Sequence, residues 1–346
     1  MLVLIWTLSL ILSAISILVM VILVLRRVVA ARREERDAES RRRIMTAMIC
    51  LAHDKDVDAF LAVAAQASTS VTADASSEFL GLVRGEEREA VLQALLRAGQ
   101  PDFLERELKR GDEVRRLHAV ELIAAYAPDV AIGPLRGRLE GDRSREVRIA
   151  AAIELAKIGT VPPLGELLDR IGYRGQRSRR LAELFGLLPE QSAAELRDLT
   201  RQRDAPGFLR ASALEALWRR DGLVEPSIFV EAAEDSVPEV AAASLRALGR
   251  IGQRTSLPLL LSKLYHPDWE VRMEAVEAVG RLGDPDAAKA VTDLLDDEQW
   301  TVRYKAAQSL LRLGPVGEAT LRTVALEGTA RKQRTASLVL SEGMPA

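Results

Sequence analysis

The chain has 346 residues, with 48 Lys and Arg against 50 Asp and Glu, a formal net charge of −2. A surface that wraps nucleic acid usually makes its domain basic, so this balance argues against a nucleic-acid partner. The one cysteine, Cys50, excludes an intrachain disulfide and agrees with a reducing compartment.

Residues 1–25, MLVLIWTLSLILSAISILVMVILVL, carry no charged side chain. As a helix they would extend ~37 Å against a hydrocarbon core of ~30 Å, so a transmembrane helix is expected there. A cleaved signal peptide would want a positive leading segment, a shorter apolar core and a small-residue cleavage site, none of which is evident. Residues 26–43 hold eight Arg and four acids. That asymmetry places the N-terminus outside and the rest of the chain in the cytoplasm, as a single-pass inner-membrane protein. Trp6 would then lie at the outer interface, with Arg26, Arg27, Arg32 and Arg33 flanking the inner one. Orientation suffices to explain the Arg cluster. Attraction to anionic lipid is the alternative, diluted by Glu34, Glu35, Asp37 and Glu39.

The chain divides into the 1–25 span, an Arg-rich juxtamembrane segment over 26–50, an N-terminal cap over 51–84, and a repeat region over 85–346. Within 44–84 the pattern suggests a continued helix and a short amphipathic one. The Ser- and Thr-rich 67–77, ASTSVTADASS, reads as a loop.

The repeat region declares itself at 265–283, YHPDWEVRMEAVEAVGRLG, and again at 296–314, DDEQWTVRYKAAQSLLRLG. Stepping by 31 from Arg303 gives Arg148, Arg179, Arg210, Ala241, Arg272 and Arg334, with Ala241 the exception. Val114-Arg115 and Glu87-Arg88 fit with a slipped period. With the residue before the Arg position as anchor (Val302 in Val302-Arg303), Gly99, Gly159, Gly252, Gly283 and Gly314 follow by twelve residues, where a glycine can close a helix in the left-handed conformation. Between anchor and glycine the apolar spacing is helical, as in Val302, Ala306, Leu310 and Leu313. Pro163, Pro258 and Pro285 then open a second helix. Each unit is a helix pair too small to hold a core alone, so the units must stack. An aromatic content of 4% suits thin helices packed through Ala, Leu and Val. Residues 329–343 would form a ninth first helix closing the stack.

The unit resembles the HEAT repeat, in particular the short bacterial phycobilisome-lyase type. The resemblance rests on Asp297, Trp300, Val302 and Arg303, on Gly283-Asp284-Pro285, and on an Asp six residues before the Arg position at Asp142, Asp204, Asp235 and Asp297. It covers roughly 85–346, is strong over 235–314 and weakens over 160–200, where Tyr173 replaces the Asp. It implies an all-α fold, a right-handed α-solenoid of about eight to nine HEAT-like helix pairs. It also implies an inter-repeat ladder of Asp142, Arg148, Arg179, Asp204, Arg210, Asp235, Arg272, Asp297, Arg303 and Arg334. An arginine stripe reading phosphates is the other possibility, but the periodic Asp would compete with a bound anion.

The search for chemistry finds no catalytic, metal or cofactor site. His53, His118 and His266 sit in different units, and His118 with Glu121 has helical spacing without a further ligand. Phosphate-binding glycine loops, nucleophile elbows and paired cysteines are missing from the sequence. Cys50, beside an apolar run, is expected to be packed. In GYRGQRSRR (172–180), Tyr173, Arg174, Arg177 and Arg180 form either a solvated irregular connection or a docking point for an acidic partner.

The expected protein is therefore a non-catalytic membrane-anchored adaptor that binds a membrane-associated protein partner, with no small-molecule substrate. The second helices, near 101–110, 133–141, 163–171, 190–202, 226–234, 257–265, 285–296 and 316–327, would present the binding surface. Anchored proteins of this type resemble accessory subunits of membrane machines such as polysaccharide-synthesis glycosyltransferases. Alternatives are a regulator of a membrane enzyme and a lyase-like HEAT enzyme acting on a bilin or other cofactor. Related solenoids also occur in DNA glycosylases, which the acidic balance disfavours.

Overall fold

The computed structural model describes residues 2–220 and 225–343, with the side chains of residues 2–18, 30 and 33 left out of the description. All regular structure among the described residues is helical. The chain forms two compact units, residues 1–138 and 139–346.

The first unit comprises α1 (Leu2–Asp54), α2 (Val57–Ala64), α3 (Thr69–Leu82), α4 (Gly85–Arg97), α5 (Gln100–Arg110), α6 (Glu113–Ile123) and α7 (Pro128–Gly141), whose last residues pass the division. Ile44, Met48 and Leu51, spaced to share one face of α1, are fully buried. α1 packs on α2, α3 and α4, whose Phe60, Phe79, Val91 and Leu95 are buried. The same face choice turns Cys50 outward, so the expectation of a packed cysteine is corrected: it is exposed.

The loop expected at 67–77 is also corrected, because most of it lies in α3. The Ser68 hydroxyl caps that helix by accepting from the Val71 amide. Thr72 and Ser76 satisfy their buried hydroxyls by donating to the Ser68 and Thr72 carbonyls, at 3.2 and 2.5 Å. Poor helix formers are thus kept helical by a cap, back-bonding and burial together.

The expected inner-membrane placement is corrected as well. Among the described residues no helix is long and apolar enough to cross a membrane. Residues 2–18 of the expected span, Trp6 among them, lie outside the described side chains, as does Arg33. Arg26, Arg27 and Arg32 are exposed on α1, whose backbone runs on through them to Asp54.

The second unit alternates first helices, α8 (Arg145–Ile158), α10 (Arg179–Leu187), α12 (Gly207–Trp218), α14 (Pro238–Ile251), α16 (Trp269–Leu282) and α18 (Trp300–Arg312), with second helices. The latter are α9 (Leu164–Ile171), α11 (Ala193–Arg201), α13 (Pro226–Ala232), α15 (Leu257–Lys263), α17 (Ala288–Asp293) and α19 (Pro315–Glu327); α20 (Ala330–Glu342) follows. Gly159, Gly252 and Gly283 close α8, α14 and α16 in the left-handed conformation, as their spacing suggested. α12, α14, α16 and α18 pack side by side in chain order. Two glycines set how closely. A Cβ on Gly249 would lie 2.6 Å from Ala278, and one on Gly280 would lie 2.5 Å from the Ser309 hydroxyl. The hydroxyl donates across that contact to the Val276 carbonyl at 2.8 Å. The resulting seam buries Val240, Leu245, Val271, Val276, Val302 and Leu310, each stabilising the stack by roughly 1.5–3 kcal/mol.

Candidate binding surface

The periodic arginines lie at the starts of the first helices, and what each one meets depends on the residue 25 positions further along. Arg210 and Asp235 form a bidentate pair buried to 3% and 8% side-chain exposure. The Arg210 Nε also donates to the Thr200 carbonyl at 3.2 Å. Arg272 repeats the arrangement two periods on. Its Nε and Nη2 donate to Asp297 at 2.7 and 3.0 Å, and its Nη1 donates to the His266 and Pro267 carbonyls at 2.8 and 2.9 Å. Each carboxylate also accepts from an amide two residues on, Val237 for Asp235 and Gln299 for Asp297. Burial alone would raise both carboxyls. The guanidinium hydrogen bonds, the amides and the positive charge outweigh it and hold Asp235 and Asp297 below the usual carboxylate range.

The carboxylate therefore serves the arginine of the preceding repeat. Arg303 reaches Asp297 through its carbonyl at 2.7 Å, not through its carboxylate. Where one partner is missing, so is the other: Ala241 stands at an Arg position and His266, 25 residues on, at the matching Asp position. His266 keeps the local duty, its Nδ1 accepting from the Asp268 amide at 3.1 Å.

Elsewhere the expected ladder is not brought together in this form. Arg148 faces Tyr173 in place of a carboxylate and donates instead to the Asp142 and Ile171 carbonyls. Gly172 admits this approach, since a Cβ there would lie 2.7 Å from the Arg148 Nη2. The Asp142 carboxylate caps the following turn by accepting from Ser144 at 2.8 Å. Arg179 and Asp204 are both exposed, and no ion pair joins them among the described residues. Arg334 donates to the Ala330 carbonyl of its own helix. In the first unit the anchor shifts by one. Val114 is 75% exposed, while buried Arg116 donates to the Gly111 carbonyl at 2.8 Å.

A second, largely half-buried ionic network runs across the first helices. Arg246 on α14 bonds to Glu215 on α12 and to Glu274 on α16, the latter at 2.7 Å. Glu277 on α16 joins Lys305 on α18 at 3.0 Å and Arg281 at 2.7 Å. Sequence reasoning passed over both. Their signal was the period itself, since 215, 246 and 277 are one residue position in three units.

The turns leading into the first helices form an edge whose charge changes along the chain. At 172–180, Arg174 is exposed and Arg180 half-buried. Arg177 donates to Glu239 at 2.9 Å, and the Arg145 guanidinium donates to Gln176 at 3.0 Å. The Tyr173 hydroxyl is buried without a hydrogen bond, and burial pushes its phenol up. The expected Arg cluster is thus partly committed within the chain. Further on, segments 233–239, 264–270 and 293–300 hold nine carboxylates and no Lys or Arg. Tyr265 and Trp300 lie exposed there, at 65% and 53%, with Trp269 at 36%. Trp300 stacks on Tyr304 at 5.0 Å between ring centroids, leaving its other face open. Trp269 and Trp300 are one period apart, a repetition visible in sequence, but exposure could be judged only once the helix faces were known.

Chemistry-bearing residues elsewhere are dispersed. No group of His, Cys, Asp and Glu suited to a metal is found among the described residues. His118 Nδ1 lies 3.8 Å from Asp74, and His53 ends α1. A groove of about 640 Å3 between α1 and α2 is lined by Arg42, Arg43, Ala47, Cys50, Phe60 and Val63 among others.

Residues 226–311 match the HEAT-repeat family, the stretch that contains the Arg272–Asp297 pair and the close α14–α16–α18 seam. No curated protein matches the chain. Among solved structures, an engineered protein is 18% identical over 90% of this chain and 96% of its own, with a TM-score of 0.36. A mutant of Kap121p is 15% identical over 87% of this chain and 44% of its own, TM-score 0.43. Human deoxyhypusine hydroxylase in complex with glycerol is 16% identical over 80% and 97%, TM-score 0.32. The chain spans less than half the length of Kap121p. These likenesses are too distant to bear on activity or partner. Among the described residues the chain is all-α and built of paired repeat helices, and residues 226–311 are similar to HEAT repeats.

Proposed function

We propose that this chain is a non-catalytic scaffold that binds another protein through its helical repeats. The observation that carries this reading is the display of Tyr265, Trp269 and Trp300 on a block held together by buried ion pairs and a glycine-tight seam. Large exposed aromatics contribute binding energy when a partner covers them, and a rigid base lowers the ordering cost of that contact. HEAT repeats suit such work because they present contacts spread over several units.

The test is in-cell photo-crosslinking of the full chain, with the reactive residue placed at Trp300 or at Val230. Val230 is exposed on second helix α13 and samples the other surface. Reproducible capture of the same protein from either position, competed away by excess unlabelled chain, is the expected result. Background proteins alone from both positions would overturn the scaffold reading.

A further inference from the structure

We infer that the edge built by segments 264–270 and 293–300 docks an extended, Lys- and Arg-rich segment of a partner protein. This rests on the scaffold reading and names the kind of partner. Several of the nine carboxylates on this side already have internal cations. Asp235 belongs to Arg210, Asp297 to Arg272, Glu239 to Arg177 and Glu234 to Lys263. Asp268 caps α16 by accepting from the Glu270 amide at 2.8 Å.

Four exposed carboxylates remain among the aromatics, at Glu270, Asp293, Asp296 and Glu298. Asp293 accepts from the Tyr265 hydroxyl at 3.4 Å. Asp296 has one cation near it, Arg331 at 4.0 Å, and Glu298 lies within electrostatic reach of Arg272. Neither Glu270 nor Glu298 forms an ion pair with a described side chain. The edge thus offers aromatic faces and carboxylates in alternation, a surface complementary to cationic side chains. A guanidinium or ammonium over the open face of Trp300 would be held by the ring and by a neighbouring carboxylate together.

The spacing sets a register. Trp269 and Trp300 open adjacent first helices. Packed helix axes lie ~8–10 Å apart, one turn of an extended polyproline II chain at three residues of ~3.1 Å each, in which every third side chain points the same way. The matching ligand therefore carries a cation at every third position. An acidic segment would be repelled, and an apolar one would leave Glu270 and Glu298 without an ion-pair partner.

The test uses a labelled short peptide with Arg at every third position and Gly or Ser between, titrated by fluorescence anisotropy against the full chain. Its counterpart has Glu in place of Arg. The Arg peptide is expected to bind more weakly at high salt, with affinity falling roughly tenfold or more in a Trp269→Ala/Trp300→Ala variant. Glu270→Gln/Glu298→Gln should weaken it too, while Trp218→Ala, at the far end of α12, should not. Circular dichroism confirms that each variant folds. The inference fails if the Arg peptide does not bind, if the Glu peptide binds equally, or if the double-Trp variant binds unchanged. It also fails if the edge is occupied by a second copy, seen as concentration-dependent dimerisation lost with the Trp variants. Capture from Val230 with no peptide binding would sink this inference and leave the scaffold reading standing.

Discussion

Within the second unit, the stretch α8–α11 and the block α12–α18 both carry the periodic arginine, Ala241 excepted, yet use it differently. In the block, Arg210 and Arg272 each find a carboxylate 25 residues on and form a buried, two-point ion pair. In the earlier stretch Arg148 finds Tyr173 and settles for carbonyl oxygens, leaving its Nε buried without a partner. Arg179 stays exposed. The repeated residue is thus a capability, and its partner decides whether it becomes a tie. Removing one member of a buried pair leaves an uncompensated charge, which is costly, whereas an exposed arginine has water as its alternative.

The largest expected effect follows from that contrast. Arg210→Ala should destabilise the fold by about 3–5 kcal/mol, measured by urea unfolding. Arg179→Ala should stay within about 0.5 kcal/mol of the parent. Equal losses from the two would break the comparison.

Next is the seam. Gly280→Val should cost about 1–3 kcal/mol, because its side chain meets Ser309 closer than atoms can pack. The same substitution at Gly165 on α9, where a Cβ would meet nothing within 4 Å, should cost less than at Gly280.

The comparison can also be sharpened by installing a rung. His266→Asp together with Ala241→Arg should recover a favourable coupling of about 1 kcal/mol over the sum of the single changes, in a double-mutant cycle. Zero coupling would mean that backbone placement, beyond residue identity, withholds the pair at this position.

The smallest effect concerns pH. Asp235 and Asp297 have folded pKa values below those of the unfolded chain. Their contribution is present above the unfolded carboxylate value of about 4 and is lost as pH falls through the folded values. The acid limb of the melting-temperature profile should therefore flatten in Arg210→Ala. An unchanged acid limb in that variant would remove Asp235 from the account.

Much of the repeat region was legible because backbone rules are local. The glycines at 159, 252 and 283 close helices by a steric rule that needs no tertiary knowledge. The prolines after them mark helix starts for a similar reason. Residues 67–77 were misjudged because Ser and Thr propensities describe an isolated chain, whereas Thr72 and Ser76 are buried and bonded within α3. Arg116 was missed by one position, since Arg115 and Arg116 are adjacent and only packing chooses which turns inward. The aromatic edge was half legible. Trp269 and Trp300 repeat visibly, but a motif does not state its own exposure.

The sequence by itself determined the all-helical class, the 31-residue unit, the helix ends and the positions of Arg and Asp in each unit. Periodic burial and the steric limits of Gly and Pro act within a few residues, so they can be read along the chain. The tertiary structure decided which Asp serves which Arg, which glycine lets two helices touch, and which aromatics stay in water. Those choices belong to neighbouring repeats meeting in space. The Asp297 carboxylate, six residues from Arg303 along the chain, is bound by Arg272 of the repeat before it, because the stacking of one helix pair on the next brings that guanidinium closer.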